Sequence, residues 1–592
     1  MRVADYLVKK LINEGIKNTF CVTGRGSLFL TDAFKKNQNM KTCFMHHEQS
    51  AAFATIASSQ LTGDLACCLI STGCSSFNTL TGVLSAWQDS IPSIFISGQN
   101  FLNETTYYTK SKKRTYGQQE ANIISSVKSI TKYSTMLTKS SDIRYEIEKA
   151  INISQQFPKG PVWLDIPLDI QNSHVDEKKL KKYISKFKIP VCSNNEINFL
   201  IKNIKNSERP VILIGNGIKL SKAENELKQF VKKTKIPLVY SYSAPDVYGA
   251  KNRLSIGSVG SQGCSRAGNF AIQNSDLLII LGSRLNSLLT GSDLTKFARK
   301  SKIVIVDINK FEHEQIIKKK LIISDLKILL KKLNKKNYEP KKEWIKDCLR
   351  WKKIFSNPKV LNQLDNHKKK LGLYQLCEIF SELMPKDAIF VCDSGFVDVI
   401  MPTNIRFSNS QNCIHPVSQG TMGYALPAVA GIQHVSDRPI ICVVGDGSIM
   451  MNLQELQTII NNKKHVKIFV INNNLYGIIR RRQKILFRNR TVGTDKSNGL
   501  SAPKFKNVAK CFGFQYKNIS SLKSANKKIS KIINNNKFIL CEIFASEDQN
   551  YIEISYAKNS DGKFVRRPLE DQAPFIDRRL FIKEMKIKPI DL

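Results

Sequence analysis

Short apolar runs that recur between helical stretches constrain the fold of this chain more than any other feature. Leu65-Ala-Cys-Cys-Leu-Ile70, Pro439-Ile-Ile-Cys-Val-Val-Gly445 and Val466-Lys-Ile-Phe-Val-Ile471 hold almost no polar side chains and are too short for buried helices. Each therefore reads as a strand covered on both faces. Helical patterns stand between such runs: Val3, Leu7, Leu11 and Ile12 line one face of a helix, and 48–60 is Ala-rich. Strands alternating with helices predict parallel sheets with helices on both sides, an α/β fold.

The alternation comes in three blocks. The first, 1–172, carries strand signals at Thr19-Phe-Cys-Val-Thr23, ended by Gly24-Arg-Gly26, then at Leu65–Ile70, Ile94-Phe-Ile96 and Pro161-Val-Trp-Leu-Asp-Ile166. A polar, Lys-rich linker follows at 173–190. The second block, 190–335, opens with Arg209-Pro-Val-Ile-Leu-Ile-Gly-Asn-Gly217 and closes after Lys302-Ile-Val-Ile-Val-Asp-Ile308. Residues 326–371 are Lys-rich and helical, and read as a crossing between domains. The third block, 372–555, holds Ala388-Ile-Phe-Val-Cys-Asp393 and the two strands ending at Gly445 and Ile471, and 556–592 is a tail. The expected architecture is three doubly wound parallel-sheet domains, which suits a chain of 592 residues.

Charge and cysteine usage narrow the function classes. The formal net charge is +42, which on its own points to nucleic acid, an anionic membrane or an acidic substrate. The lysines, however, are scattered along the whole chain and alternate with apolar residues, as at Lys228, Lys232, Lys233 and Lys235, and read as solvated helix faces. No zinc-finger spacing or aromatic RNA-binding signature accompanies them, so a basic nucleic-acid-binding protein is the weaker reading and no nucleic-acid partner is expected. None of the 14 cysteines forms a CxxC pair, which fits reduced, intracellular usage. There is no signal-peptide pattern, and the apolar runs fall well short of the roughly 20 residues that span a bilayer. A cytoplasmic enzyme with no membrane partner is expected.

The third block carries the strongest chemical signal. One buried strand ends in Gly445-Asp-Gly-Ser448 and the next ends in Asn472-Asn473, placing Asp446 and Asn473 27 residues apart, one strand–helix–strand unit. Both then sit at the carboxyl ends of neighbouring parallel strands, where such sheets bind ligands. Gly445 and Gly447 let backbone amides approach a phosphate. A carboxylate, an amide oxygen and a nearby main-chain carbonyl are hard oxygen donors suited to Mg²⁺ shared with a diphosphate. A lone Gly-Asp-Gly would be an ordinary turn; the Asn pair at this separation is what gives it weight.

This spacing resembles the signature of thiamine diphosphate-dependent enzymes, and further segments resemble the acetolactate synthase catalytic subunit from about residue 3 to about 580. The resemblance implies that Asp446 and Asn473 bind Mg²⁺ through side chains and Leu475 through its carbonyl, while Gly445, Gly447 and Ser448 meet the diphosphate. His47-Glu48-Gln49 matches the family position where one Glu hydrogen-bonds the aminopyrimidine ring and favours the tautomer that removes the thiazolium C2 proton. In Gln419-Gly-Thr-Met-Gly-Tyr-Ala-Leu-Pro427, Met422 would wedge between the cofactor rings and the Gly420 carbonyl would receive the 4′-amine. Thr72-Gly-Cys-Ser-Ser-Phe-Asn78 resembles the family's Gly-rich loop, with Asn78 at the cofactor, and Tyr116-Gly-Gln-Gln-Glu120 makes Gln119 a substrate-side residue. Trp87-Gln-Asp-Ser-Ile-Pro92, Gly160–Pro167 and Pro568–Pro574 also match. By the same resemblance the blocks are pyrimidine-binding, central and diphosphate-binding domains. The active sites would form between subunits of a homodimer or a dimer of dimers, and the substrate would be pyruvate.

Three positions depart from the synthases. Arg482 stands where those of branched-chain biosynthesis carry a Trp, and an Arg cluster at a substrate channel suits an anionic or polyhydroxylated partner. Cys74 replaces a Pro, and together with Arg114–Glu120 and Gln483–Gly499 this looks more like synthase relatives in cell-surface sugar clusters. In the central block, Gly282-Ser-Arg284 and Asp307 match positions that contact a non-redox FAD, and Gly215-Asn-Gly217 is half a dinucleotide fingerprint, but Asn286-Ser-Leu288 replaces the synthase Asp-Asp-Arg. The sequence leaves FAD open. The leading expectation is a pyruvate-decarboxylating carboligase like acetolactate synthase. The alternatives are addition of the two-carbon unit to a keto-sugar and simple decarboxylation.

Overall fold

The computed structural model describes the chain except residues 317–318, 357–360, 362–363, 366–369, 559–561 and 591–592. The expected crossing at 326–371 lies partly outside these described residues. Three six-stranded sheets organise the fold, and every pairing within them is parallel. The first sheet consists of β1 (Asn18–Cys21), β2 (Lys41–Phe44), β3 (Ala66–Ile70), β4 (Ser93–Gln99), β5 (Tyr133–Met136) and β6 (Pro161–Pro167). The second consists of β7 (Pro210–Ile214), β8 (Leu238–Tyr240), β9 (Ser255–Ser258), β10 (Leu277–Leu281), β11 (Lys302–Asp307) and β12 (Lys319–Ile323). In the third are β13 (Ile389–Cys392), β14 (Asn412–Ile414), β15 (Ile440–Gly445), β16 (Val466–Asn472), β17 (Gln515–Ile519) and β18 (Ile539–Phe544). A small antiparallel ribbon, β19 (Tyr556–Lys558) with β20 (Phe564–Arg566), lies in the tail.

The spatial orders are β2-β1-β3-β4-β6-β5 and β14-β13-β15-β16-β18-β17, so the outer two sheets share one permutation of strands. The central sheet runs β12-β11-β10-β7-β8-β9. In the third sheet the winding reverses between β13 and β15, which makes their carboxyl ends the switch point where doubly wound sheets bind ligands.

The outer two domains share a core. Helix Glu48–Thr62 is buried on nearly all sides, as its lack of a polar face requires, and lies against helix Ala425–Val435. The approach is close: a Cβ on Gly431 would fall 2.4 Å from the Ala54 carbonyl oxygen. Phe53 meets Tyr424 edge-on, and the Tyr424 hydroxyl donates to Gln60 Oε1 at 2.6 Å. Helix Lys342–Phe355, which reads as part of a crossing, packs on the central sheet instead. Trp344 Nε1 donates to the Pro210 carbonyl and Trp351 Nε1 to Glu584 Oε2 in tail helix Arg578–Glu584. Two indoles at i and i+7 place one aromatic face on that core, and the tail's Phe581 joins it. Among the described residues no helix is long and apolar enough to cross a membrane.

Candidate active site

A cavity of about 780 Å³ lies where the carboxyl ends of the second and third sheets face each other. Segments after β13, β14, β15 and β16 line one side, and segments after β7, β10, β11 and β12 line the other. Gly420, Met422, Gly445, Asp446, Gly447, Ser448, Asn473 and Leu475 all border it.

Asp446 follows β15 and is 1% exposed. Its Oδ1 accepts from the Gly447 N–H at 3.0 Å and its Oδ2 from the Leu475 N–H at 2.7 Å. Burial pushes the carboxyl up to about 7, against the pull of those two N–H groups and the Arg480 charge. A carboxylate so desolvated is suited to a cation. Asn473, 8% exposed, follows β16, and the turn after it takes positive φ at Asn474 (61°) and at Leu475 (85°). That conformation is costly for a γ-branched residue and turns the Leu475 peptide back towards Asp446. Arg480 braces the turn: its guanidinium donates to the carbonyls of Asn473 at 2.8 Å and Asn474 at 2.9 Å, and pairs with Asp495 at 3.7 Å. The sequence reading missed Arg480 and singled out Arg482, which is exposed on helix Gly477–Leu486 and does not line the cavity.

Glycine is required here for two different reasons. A Cβ on Gly447 would strike the Tyr476 ring at 2.4 Å, so close packing is what demands glycine there. At Gly420, with φ +58°, a Cβ would meet nothing within 4 Å, and at Gly445 only Ser448 Oγ at 4.0 Å, so these backbones face open cavity. Asp393, after β13, fixes the Gly420 turn by accepting from the Gly423 N–H at 3.0 Å and the Ala425 N–H at 2.8 Å. Sequence reading recorded Asp393 only as a strand end. These features fit a diphosphate with a divalent cation. Buried oxygen donors and open backbone line this side, while the cavity's cationic side chains, Lys159, Lys219 and Arg284, come from the other two domains.

The other expected residues lie elsewhere. Glu48 opens helix Glu48–Thr62, where the His47 ring accepts from the Gln49 N–H at 3.3 Å, and Asn78 Nδ2 donates to Glu48 Oε2 at 3.0 Å. Gln119, exposed and at φ 60°, rests on Gly73, where a Cβ would sit 1.9 Å from its carbonyl oxygen. Glu48 follows β2, Asn78 follows β3 and Gln119 follows β4, so all three belong to the carboxyl edge of the first sheet. That sheet meets the cavity with its opposite edge: Ser59, Gln60, Gly63, Asp89–Pro92 and Phe157–Lys159 precede β3, β4 and β6. None of Glu48, Asn78 and Gln119 lines this chain's cavity.

At the central end, Gly217, Arg284 and Asp307 border the cavity, but their polar groups are engaged within the chain. The Gly215 N–H donates to Leu281 at 3.1 Å and the Gly217 N–H to Gly282 at 2.9 Å. A Cβ on either would clash with Gly282, so the two glycines serve backbone packing rather than an open phosphate loop. Arg284 donates to the Gln88 carbonyl and to Ser90 Oγ, and its Nε pairs with Glu312. Asp307 accepts from the Asn309 N–H and pairs with His313.

A doubly wound domain whose switch point offers buried oxygen donors and open backbone, joined to a second of the same strand order, defines a class of cofactor-binding α/β proteins. Family models describe it further: the thiamine pyrophosphate enzyme N-terminal binding domain matches residues 1–126, the central domain 197–333 and the C-terminal binding domain 393–543. The chain belongs to the thiamine pyrophosphate (thiamine diphosphate) enzymes. Similar proteins include the acetolactate synthase large subunit of Cyanidium caldarium, 29% identical over 92% of this chain and 93% of that one. That of Porphyra purpurea is 27% identical over 92% of each, and the isozyme 3 large subunit of Escherichia coli K12 is 25% identical over 91% and 94%. It is thus a thiamine diphosphate-dependent enzyme resembling acetolactate synthase.

Proposed function

We propose that this enzyme is a Mg²⁺-dependent carboligase that decarboxylates pyruvate and joins the two-carbon unit to a second carbonyl compound, in the manner of acetolactate synthase. The carrying observation is the turn at Asp446, Asn473 and Leu475 beside the open backbone of Gly445 and Gly420 in one cavity. In this reading Asp446, Asn473 and the Leu475 carbonyl hold Mg²⁺, and Gly445, Gly447 and Ser448 receive the diphosphate. The Gly420 carbonyl would accept from the aminopyrimidine's amine, and Met422 would support the cofactor's rings. Thiamine diphosphate supplies a nucleophilic carbon and an electron sink for the pair left by CO₂.

Glu48 holds and returns a proton at the aminopyrimidine ring, Asn78 orients Glu48, and Gln119 faces the substrate. Because these three occupy the edge of the first sheet turned away from the chain's own cavity, the site is completed by a second copy, and the functional unit is a homodimer or a dimer of dimers. Flavin is left out, since the donors expected to hold it are engaged at Leu281, Gly282, Gln88 and Ser90.

The test is to supply the purified protein with thiamine diphosphate, Mg²⁺ and pyruvate, identify products by mass spectrometry and record the visible spectrum. Acetolactate without a flavin band is expected. CO₂ release without acetolactate would move the acceptor to another carbonyl compound, such as a keto-sugar. Acetaldehyde as sole product would replace ligation by simple decarboxylation.

A further inference from the structure

One buried polar group on the cavity wall has no part in the reading above. His415 follows β14, borders the cavity and is 2% exposed. Its Nδ1 lies 2.9 Å from Asp398 Oδ1, in helix Phe396–Asn404. Asp398 also accepts from the Cys392 thiol at 3.8 Å, and burial holds that thiol well above its ordinary range, so it stays a neutral donor. The Asp398 carbonyl accepts from the Tyr242 hydroxyl at 3.0 Å, and the Tyr242 ring stands edge-on to the imidazole at 4.8 Å. His415 Nε2 is buried, and nothing among the described residues bonds it. The charged or titratable groups around this ring among the described residues are Asp398 from its helix, Cys392 from β13, Tyr242 from the segment after β8 and Asp89 from the first domain, with Cys413 of β14 beside Cys392 and Tyr242.

We propose that His415, oriented by Asp398, is a proton-transfer residue for the second carbonyl substrate. The proposal rests on the carboligase reading. A carboxylate on Nδ1 fixes the tautomer and leaves Nε2 as the working atom, the arrangement of an Asp-oriented general acid–base histidine. As the new C–C bond forms, the acceptor's C=O electron pair moves to its oxygen, and the protonated ring gives that oxygen its Nε2 proton. The neutral ring recovers a proton from the donor-derived hydroxyl as that carbon becomes the product ketone and its bond to the cofactor breaks, leaving the electron pair with the cofactor. His415 thus ends the sequence as it began, its Nε2 proton given and returned. Asp398 is a positioning residue, since it acts through His415.

The first test needs no cofactor. In protein labelled with ¹⁵N-histidine, the His415 signals are identified by their loss in His415→Gln. The neutral ring is expected to carry its proton on Nδ1 with Nε2 bare, and Asp398→Ala is expected to mix the two tautomers. A neutral ring protonated on Nε2, or a tautomer unmoved by Asp398→Ala, overturns the proposal. One equivalent of tightly held metal that is lost in His415→Gln also overturns it, by making Cys392, Asp398 and His415 a metal centre. In the loaded enzyme, His415→Gln should bind thiamine diphosphate with Mg²⁺ as the parent does, read by tryptophan fluorescence, and lose about 100-fold or more in ligated product. Ligation at the parental rate would refute the role. A parent protein that binds no thiamine diphosphate would refute the carboligase reading, and with it the assigned role, whatever tautomer the ring shows.

Discussion

At the residue scale, the roles proposed for Asp446 and Glu48 differ with their surroundings. Asp446 is held by two backbone N–H groups at the end of a buried strand, so its side chain cannot move away when a cation arrives. Asp446→Ala should therefore abolish Mg²⁺-dependent binding of thiamine diphosphate while leaving the fold, because the small side chain makes no clash; isothermal titration with and without Mg²⁺ checks this. Glu48 sits half-buried at the start of a helix and is oriented by Asn78. Glu48→Gln keeps the size and the Asn78 contact but removes the exchangeable carboxylate. Cofactor binding should change little, and exchange of the cofactor's C2 proton, followed by NMR, should slow by about 100-fold or more. Unchanged exchange would remove Glu48 from its role.

At the element scale, β16 shows what a buried parallel strand tolerates. Lys467 is 6% exposed in it, and its ammonium donates to the Lys537 carbonyl at 2.8 Å. Burial lowers its pKa from 10.5 to about 8. The folded state thus disfavours the charged form: the penalty is full below about 8 and disappears as pH rises to 10.5. Lys467→Met should raise the unfolding temperature at pH 7 and lose that advantage above about 10.5, where both states of the parent hold a neutral amine; thermal melts across this range read the effect. The same strand was plain in the sequence, because Val466, Ile468, Phe469, Val470 and Ile471 leave no polar face. Edge strands such as β2, β5 and β17 were not, since their outer faces are wet and their residues mixed: Tyr133-Ser-Thr-Met136 and Gln515-Tyr-Lys-Asn-Ile519 read equally as loop. Asp446 and Asn473 were legible because strand ends and spacing are local facts. Among Arg480, Arg481 and Arg482, the buried one is set by the helix phase, and that phase depends on Gly477 packing against Phe396 and Asn473. His415 and Asp398 were invisible for the same reason, since only the folded sheet brings residue 398 to residue 415.

At the scale of the whole molecule, the decisive fact is which edge of each sheet meets the cavity. The second and third sheets present carboxyl ends, and the first presents its amino-end loops, leaving Glu48 and Asn78 on the far side. The shared core of helices Glu48–Thr62 and Ala425–Val435 fixes this arrangement, because Gly431 against Ala54 leaves no room for one domain to turn on the other. On the proposed reading a complete site takes Glu48 from one copy and Asp446 from another, and a mixing experiment follows. Glu48→Gln and Asp446→Ala proteins are each expected to be inactive in ligation. In a heterodimer of the two, one site carries both lesions and the other carries neither. Random reassociation of equal amounts makes about half the dimers mixed, so about a quarter of all sites are intact. Mixing after dissociation should restore roughly that share of parental activity. If Glu48 and Asp446 of the same chain served one site, every site in the mixture would carry a lesion and no activity would return.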